Sequence, residues 1–214
     1  MGWYRAEYEA VRGKMVPGDV IAFGGNCFMS DVFKWITRSC VSHSGVIIQT
    51  KLLIEGDPQD GFFNQIIQST EYNGFMGVQI NRLSSVISDY DGSVWWLPLG
   101  AAVREKLDLK KFYDFLIHQV GKPFDISDSA KLMFETFVHH NPDIKEDYRK
   151  FFCSELVVAG LEAGGALPAV DSSDITPADL CKLKIYAGDY YQLKGNDQEI
   201  KRYNTILPDA FAEN

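Results

Sequence analysis

The chain has 214 residues, 46% hydrophobic and 23% charged, which is apolar material enough for one core in the size range of a single domain. Lys and Arg number 21 against 29 Asp and Glu, a net charge of −8, so no basic face dominates and nucleic acid is excluded as the expected partner. No apolar run approaches the roughly 20 residues that span a bilayer, and no integral membrane segment is expected.

The opening MGWYRAEYEAVRGK carries acids and lacks the apolar stretch of a signal peptide, so a cytoplasmic location is expected, although a phage protein or a secreted effector would share that start. Gly2 invites a test for N-myristoylation, which Ala6 fails by standing where Ser or Thr is required. No repeat, low-complexity tract or linker interrupts residues 1–214, which read as one domain.

Val16-Pro17-Gly18-Asp19 is a turn signal, and Val20-Ile21-Ala22-Phe23 is a short apolar run closed by Gly24-Gly25, so turn, buried strand and turn follow one another. Met29, Val32, Phe33 and Ile36 have helical spacing. A meander of antiparallel strands is expected over 42–50, 51–55, 62–70, 77–83 and 93–99, punctuated by Gly, Asp and Asn. Residues 105–120 read as a helix with Leu109, Phe112, Leu116 and Val120 on one face, and 127–140 as another that Asn141-Pro142-Asp143 ends. A third helix is expected over 154–162, stopped by Gly164-Gly165, and a short one after Thr176-Pro177 with Thr as its cap. Of the adjacent Trp95 and Trp96, strand alternation turns at least one into the core.

The four cysteines, Cys27, Cys40, Cys153 and Cys181, are too few and too scattered for a disulfide scaffold, and no CxxC pair suggests zinc. A zinc site from Cys27, Cys40, His43 and Cys153 matches no ligand spacing, so no metal and no cofactor is expected. In Phe151-Phe152-Cys153-Ser154-Glu155, Cys153 stands immediately before a helix, where the macrodipole and unpaired N–H groups stabilise a thiolate. The same N–H groups can hold an oxyanion, whereas the structural alternative is a cysteine packed beneath the helix start.

A nucleophilic thiol needs a base. His43 begins the apolar strand Ser42-His43-Ser44-Gly45-Val46, with Gly45 expected to leave open space beside the imidazole. His118 follows Asp114 by four residues on a solvated helix face, and His139-His140 ends a helix, so His43 is the best candidate. On the next strand, Gln68 or Glu71 can fix the imidazole; a glutamate would stabilise imidazolium, a glutamine would only orient the ring.

The sequence resembles the circularly permuted NlpC-type papain-like amidases, the YiiX/YaeF-like group, in the order of four segments: Gly18-Asp19-Val20-Ile21, Phe33-Lys34-Trp35-Ile36-Thr37, Ser42-His43-Ser44-Gly45-Val46-Ile47 and Phe152-Cys153-Ser154-Glu155-Leu156-Val157. Gly121-Lys122-Pro123-Phe124-Asp125 and Ile175-Thr176-Pro177-Ala178-Asp179-Leu180 resemble further family segments, and the likeness spans about residues 16–182. The resemblance implies an α+β permuted papain-like fold, an antiparallel sheet of five or six strands packed against the helix of Cys153. It places the nucleophile on Cys153, the base on His43 and the third polar role on Gln68, where the family usually carries glutamate, with Glu71 reachable by a shift of register. The expected activity is hydrolysis of a peptide, isopeptide or peptidoglycan-type amide through a thioester. Thiol acyltransfer or lipid hydrolysis on an acyl substrate, and a non-catalytic binding module that keeps the cleft, are the alternatives.

Overall fold

A buried carboxylate organises the entrance to the sheet. In the computed structural model, which describes residues 2–25, 39–52, 62–123, 151–172 and 175–212, Asp19 is fully buried just before the first central strand. Its Oδ2 accepts from the Val16 amide (3.1 Å) and Trp96 Nε1 (2.9 Å), and its Oδ1 from the Leu99 amide (3.0 Å) and the Arg104 guanidinium. Burial raises the Asp19 pKa, while Arg104 and the two amides pull it back; since all four partners are donors, the ionised form is the one its surroundings fit. Gly18, at φ +91°, makes the turn that delivers this carboxylate, and a Cβ there would press on Leu107 and Leu99.

The strands are β1 (Gly2–Arg5), β2 (Val20–Gly25), β3 (His43–Leu52), β4 (Phe62–Tyr72), β5 (Phe75–Arg82), β6 (Gly92–Leu97) and β7 (Asp189–Lys194). They form one α+β sheet in the order β1-β7-β6-β2-β3-β4-β5, antiparallel throughout except for the parallel β1–β7 pair. The helices are α1 (Tyr8–Val11), α2 (Leu83–Asp89), α3 (Ala101–Arg104), α4 (Leu109–Gln119), α5 (Phe151–Ala163) and α6 (Pro177–Lys182).

Strand alternation gives the sheet two buried faces. Ala22, Val46, Ile48, Ile67 and Trp95 pack with Phe112 and Leu116 of α4 and Val157 and Leu161 of α5. Ile21, Phe23, Ile47, Ile66 and Trp96 pack instead with Tyr8, Met15, Leu83 and Val86. Both tryptophans are therefore core residues, with Trp95 Nε1 donating to the Gln198 carbonyl at 2.9 Å.

Several expectations are corrected. The strands expected at 42–50 and 51–55 run as one, β3, because no turn residue separates Thr50 from Lys51; a bulge between Ile47 and Gln49 absorbs the register change. The expected helix at 105–120 starts only at Leu109, where the Asp108 carboxylate accepts from the Lys111 amide at 3.1 Å, and Leu109 and Val120 stay exposed at its ends. The helix expected from Ser154 already includes Phe151, whereas α6 starts as read, with Thr176 Oγ1 accepting from the Asp179 amide at 3.1 Å. Strands β1 and β7 and helix α2 were not anticipated, and they bring the sheet to seven strands rather than five or six. The helices expected at 29–36 and 127–140, Cys27, the Asn141-Pro142-Asp143 stop and His139-His140 lie outside the described residues.

The Asp19 hub ties β2 to β6, the residue Leu99 beyond it, and α3. Asp19→Ala leaves four donors without their acceptor, so urea unfolding of this variant is expected to show a loss of about 3 kcal/mol. An unchanged midpoint and slope would remove the hub from the account.

Candidate functional site

The β4–β5 hairpin sets the geometry around His43. Tyr72 pairs with Phe75 across a two-residue turn, Asn73 (φ 52°) and Gly74 (φ 78°), the positive-φ pair that matches the twist of a hairpin. Counting back from that turn, Thr70 faces Gly77, Gln68 faces Gln79 and Ile66 faces Asn81, all on one side of the sheet. His43 and Gly45 share that side, because His43 pairs with Phe23 and Gly45 with Ile21. The imidazole tilts against the Phe23 ring at 5.2 Å between centroids, and Phe23 in turn meets Tyr90 at 4.9 Å.

His43 Nε2 lies 3.0 Å from Gln68 Oε1. A carbonyl oxygen only accepts, so Nε2 carries the hydrogen and donates. In the neutral ring this leaves the lone pair on Nδ1, the nitrogen that can then take a proton. Gln68 is buried at 2% exposure, and its Nε2 donates to Asn81 Oδ1 at 3.1 Å. Asn81 Nδ2 donates to Gln79 Oε1 at 3.3 Å, and Gln79 Nε2 donates to the main-chain carbonyls of Thr70 and Phe75, each at 3.1 Å. Sequence reading found Gln68 but missed Asn81 and Gln79, whose alternation along β5 was the available signal.

The imidazole lines a cavity of about 260 Å³ together with Gln68, Glu71, Tyr72, Asp89 and Tyr90. Tyr72 donates its hydroxyl to Asp89 Oδ2 at 2.7 Å, and that bond to a carboxylate raises the phenol's pKa. Glu71 is exposed on the cavity rim, while the position at His43 Nε2 is held by Gln68. Gly45 does not open a channel: a Cβ there would stand 2.7 Å from Ile66 Cδ1 and 3.0 Å from the Ile67 carbonyl, so the space is already filled by β4.

Cys153 is fully buried in the first turn of α5 as described, and its sulfur meets β3 at Ser44, the residue after His43. The Ser44 hydroxyl and amide and the amides of Cys153 and Ser154 all face the thiol and favour its ionised form. The Ser44 hydroxyl is itself buried, and among the described residues no other group pairs with it at hydrogen-bonding geometry. Burial outweighs these donors and pushes the thiol up to about 11, so Cys153 rests neutral rather than as the lowered thiolate expected at a helix start. The Ser154 hydroxyl, also buried, donates to the Ile175 carbonyl at 2.6 Å and ties α5 to the turn that opens α6.

The structure thus joins His43 to Gln68 directly and leaves Glu71 on the rim, but it brings the Cys153 sulfur to Ser44, whose side chain leaves β3 on the face opposite His43, so the thiol and the imidazole are not shown as a pair. His118 is exposed and donates Nδ1–H to the Asp114 carbonyl, while the Asp114 carboxylate pairs with Lys110. Among the described residues no group of three or more His, Cys, Asp and Glu side chains is placed to hold a metal ion, and no helix is long and apolar enough to cross a membrane. Comparison of the sequence with protein-family models and with curated proteins finds no match.

The raised thiol gives a stability window. With a folded value of about 11 against 9.0 for an unperturbed thiol, the unfolded chain releases this proton first as pH rises. The contribution is therefore fully present below pH 9 and lost towards pH 11, amounting to about 3 kcal/mol at about 1.4 kcal/mol per unit. Denaturant titration across that range is expected to show a shallower alkaline decline in Cys153→Ala than in the wild type; identical slopes would contradict the buried neutral thiol.

Proposed function

We propose that the protein is a cysteine hydrolase of the permuted papain-like kind, acting on an amide bond of a peptide, isopeptide or peptidoglycan-type substrate. The observation that carries the reading is the His43–Gln68 pair at 3.0 Å, on the strand whose next residue, Ser44, meets the Cys153 sulfur. In this mechanism the Cys153 sulfur bonds to the substrate carbonyl carbon as its proton passes to His43 Nδ1, a transfer that requires the imidazole, the first side chain of β3 and on the face opposite Ser44, to swing round the end of the strand. The tetrahedral oxyanion is held by first-turn amides of α5, and collapse breaks the C–N bond as the departing nitrogen takes the proton from His43. Water then attacks the thioester as His43 takes one of its protons, and collapse breaks the C–S bond as that proton passes from His43 to sulfur and the free acid leaves. The chemistry uses no cofactor. Because burial keeps the thiol neutral at rest, proton transfer accompanies attack instead of preceding it.

That same burial favours a second reading, a binding module that keeps the cavity beside His43 without turnover. A panel of amides and esters separates the two. Cys153→Ala is expected to keep the fold and abolish hydrolysis. Gln68→Leu, which leaves Nε2–H without its acceptor, is expected to lower kcat tenfold or more, and Glu71→Gln to change kcat/KM less than about twofold. Hydrolysis that survives in Cys153→Ala would sink the hydrolase reading. A stronger effect at Glu71 than at Gln68 would move the orienting role to the glutamate.

A further inference from the structure

The geometry points to Gln79 and Asn81 as positioning residues that fix which nitrogen of His43 carries the proton. Four polar side chains on adjacent strands are linked in one direction: His43 Nε2 to Gln68 Oε1 (3.0 Å), Gln68 Nε2 to Asn81 Oδ1 (3.1 Å), Asn81 Nδ2 to Gln79 Oε1 (3.3 Å), and Gln79 Nε2 to the carbonyls of Thr70 and Phe75 (both 3.1 Å).

A side-chain amide can turn over and exchange its donor and acceptor ends, so each link taken alone leaves the sense of the chain open. The far end removes that freedom. Thr70 and Phe75 present main-chain carbonyls, which accept and never donate, so only the NH₂ end of Gln79 can face them. Gln79 must then turn its oxygen to Asn81, Asn81 its oxygen to Gln68, and Gln68 its oxygen to His43. Reversing any member sets two oxygens or two NH₂ groups against each other in a half-buried network, where a mismatched pair is costly. The imidazole is thereby held as the Nε2–H tautomer with its lone pair at Nδ1.

The chain also accounts for glutamine in this role. Gln68 must accept from His43 and donate to Asn81 at once, and a carboxylate does only the first. Glutamate at position 68 would require Asn81 and then Gln79 to turn over, ending with an oxygen of Gln79 against two carbonyl oxygens. Gln68→Glu is therefore expected to lower hydrolysis rather than raise it.

The relevance to catalysis rests on the hydrolase reading, but the tautomer does not, and it is measured without substrate. Long-range ¹H–¹⁵N spectra of histidine-labelled protein, recorded with His43 neutral and assigned through His43→Gln, are expected to show Nε2 protonated and Nδ1 bare. Gln79→Leu, on the outermost strand, frees the Asn81–Gln68 pair to turn over together and is expected to convert a fifth or more of His43 to the Nδ1–H form. Asn81→Leu is expected to do the same by a second route, with unfolding midpoints confirming that both variants are folded. A wild-type Nδ1–H ring, or a tautomer unmoved in both folded variants, would overturn the assignment. Cys153-dependent hydrolysis alongside an Nδ1–H ring would sink the relay and leave the hydrolase standing. An Nε2–H ring in a protein without turnover would do the reverse.

Discussion

Two residues, Asn73 and Gly74, set the register on which the whole candidate site depends. Their positive φ angles close β4 onto β5 with Tyr72 opposite Phe75, and every pair behind them follows. Gln68 then faces Gln79, with Asn81 on the diagonal, close enough for three amides to join end to end. A slip of one residue would send Gln79 and Asn81 to the opposite face and leave Gln68 with an unpaired NH₂ group at 2% exposure. The link from sequence to chemistry therefore runs through a turn at the far end of the hairpin. The imidazole receives its orientation from the Thr70 and Phe75 carbonyls through three intermediaries.

A second constraint fixes the other half of the site. Strands β2 and β3 are buried on both faces, so alternation assigns each residue near His43 to one side or the other. His43 and Gly45 go with Phe23 and Ile66, while Ser44 and Val46 go with α5 and α4. Asp19 holds this arrangement in place by joining the start of β2 to Trp96, Leu99 and Arg104 with four donors on one carboxylate. Since the helix of Cys153 packs on the Val46 face, its sulfur meets β3 at Ser44 and is sealed from water there. The sealing is what raises the thiol, and it distinguishes this cysteine from one exposed at a free helix start.

Much of the frame was legible from local patterns. The Val16–Asp19 turn, the apolar run of β2, the Thr176-Pro177 start of α6 and the buried stripe of α5 carry strong short-range signals, and each stands where those signals put it. The need for a third group beside His43 left Gln68 and Glu71 of the next strand open, the resemblance pointed to Gln68, and Gln68 is the residue at the imidazole. What was not legible came from tertiary packing. Strand β1 has four residues and no pattern of its own, and β7 is recruited to the sheet by β6 and β1. The sequence pattern starts α4 four residues early, at Glu105, with Asp108 as an interior position, whereas the Asp108 carboxylate caps the helix by accepting from the Lys111 amide. Gly45 suggested open space, which the Ile66 side chain of the adjacent strand fills. The thiol's raised value was hidden for the same reason: the dipole and amides at a helix start are visible in sequence, whereas the burial that outweighs them is not.

A neutral, buried thiol meets the strand that carries His43, and the proposed hydrolysis requires these two groups to react together although His43 and Ser44 leave that strand on opposite faces. Competitive labelling with limiting iodoacetamide at neutral pH, followed by peptide mapping of all four cysteines, tests that claim most directly. The account predicts that Cys153 reacts first despite being as buried as Cys181, and that His43→Ala slows it tenfold or more while leaving Cys40 and Cys181 unchanged. Labelling of Cys153 no faster than that of Cys181, or equally fast with and without His43, would contradict it.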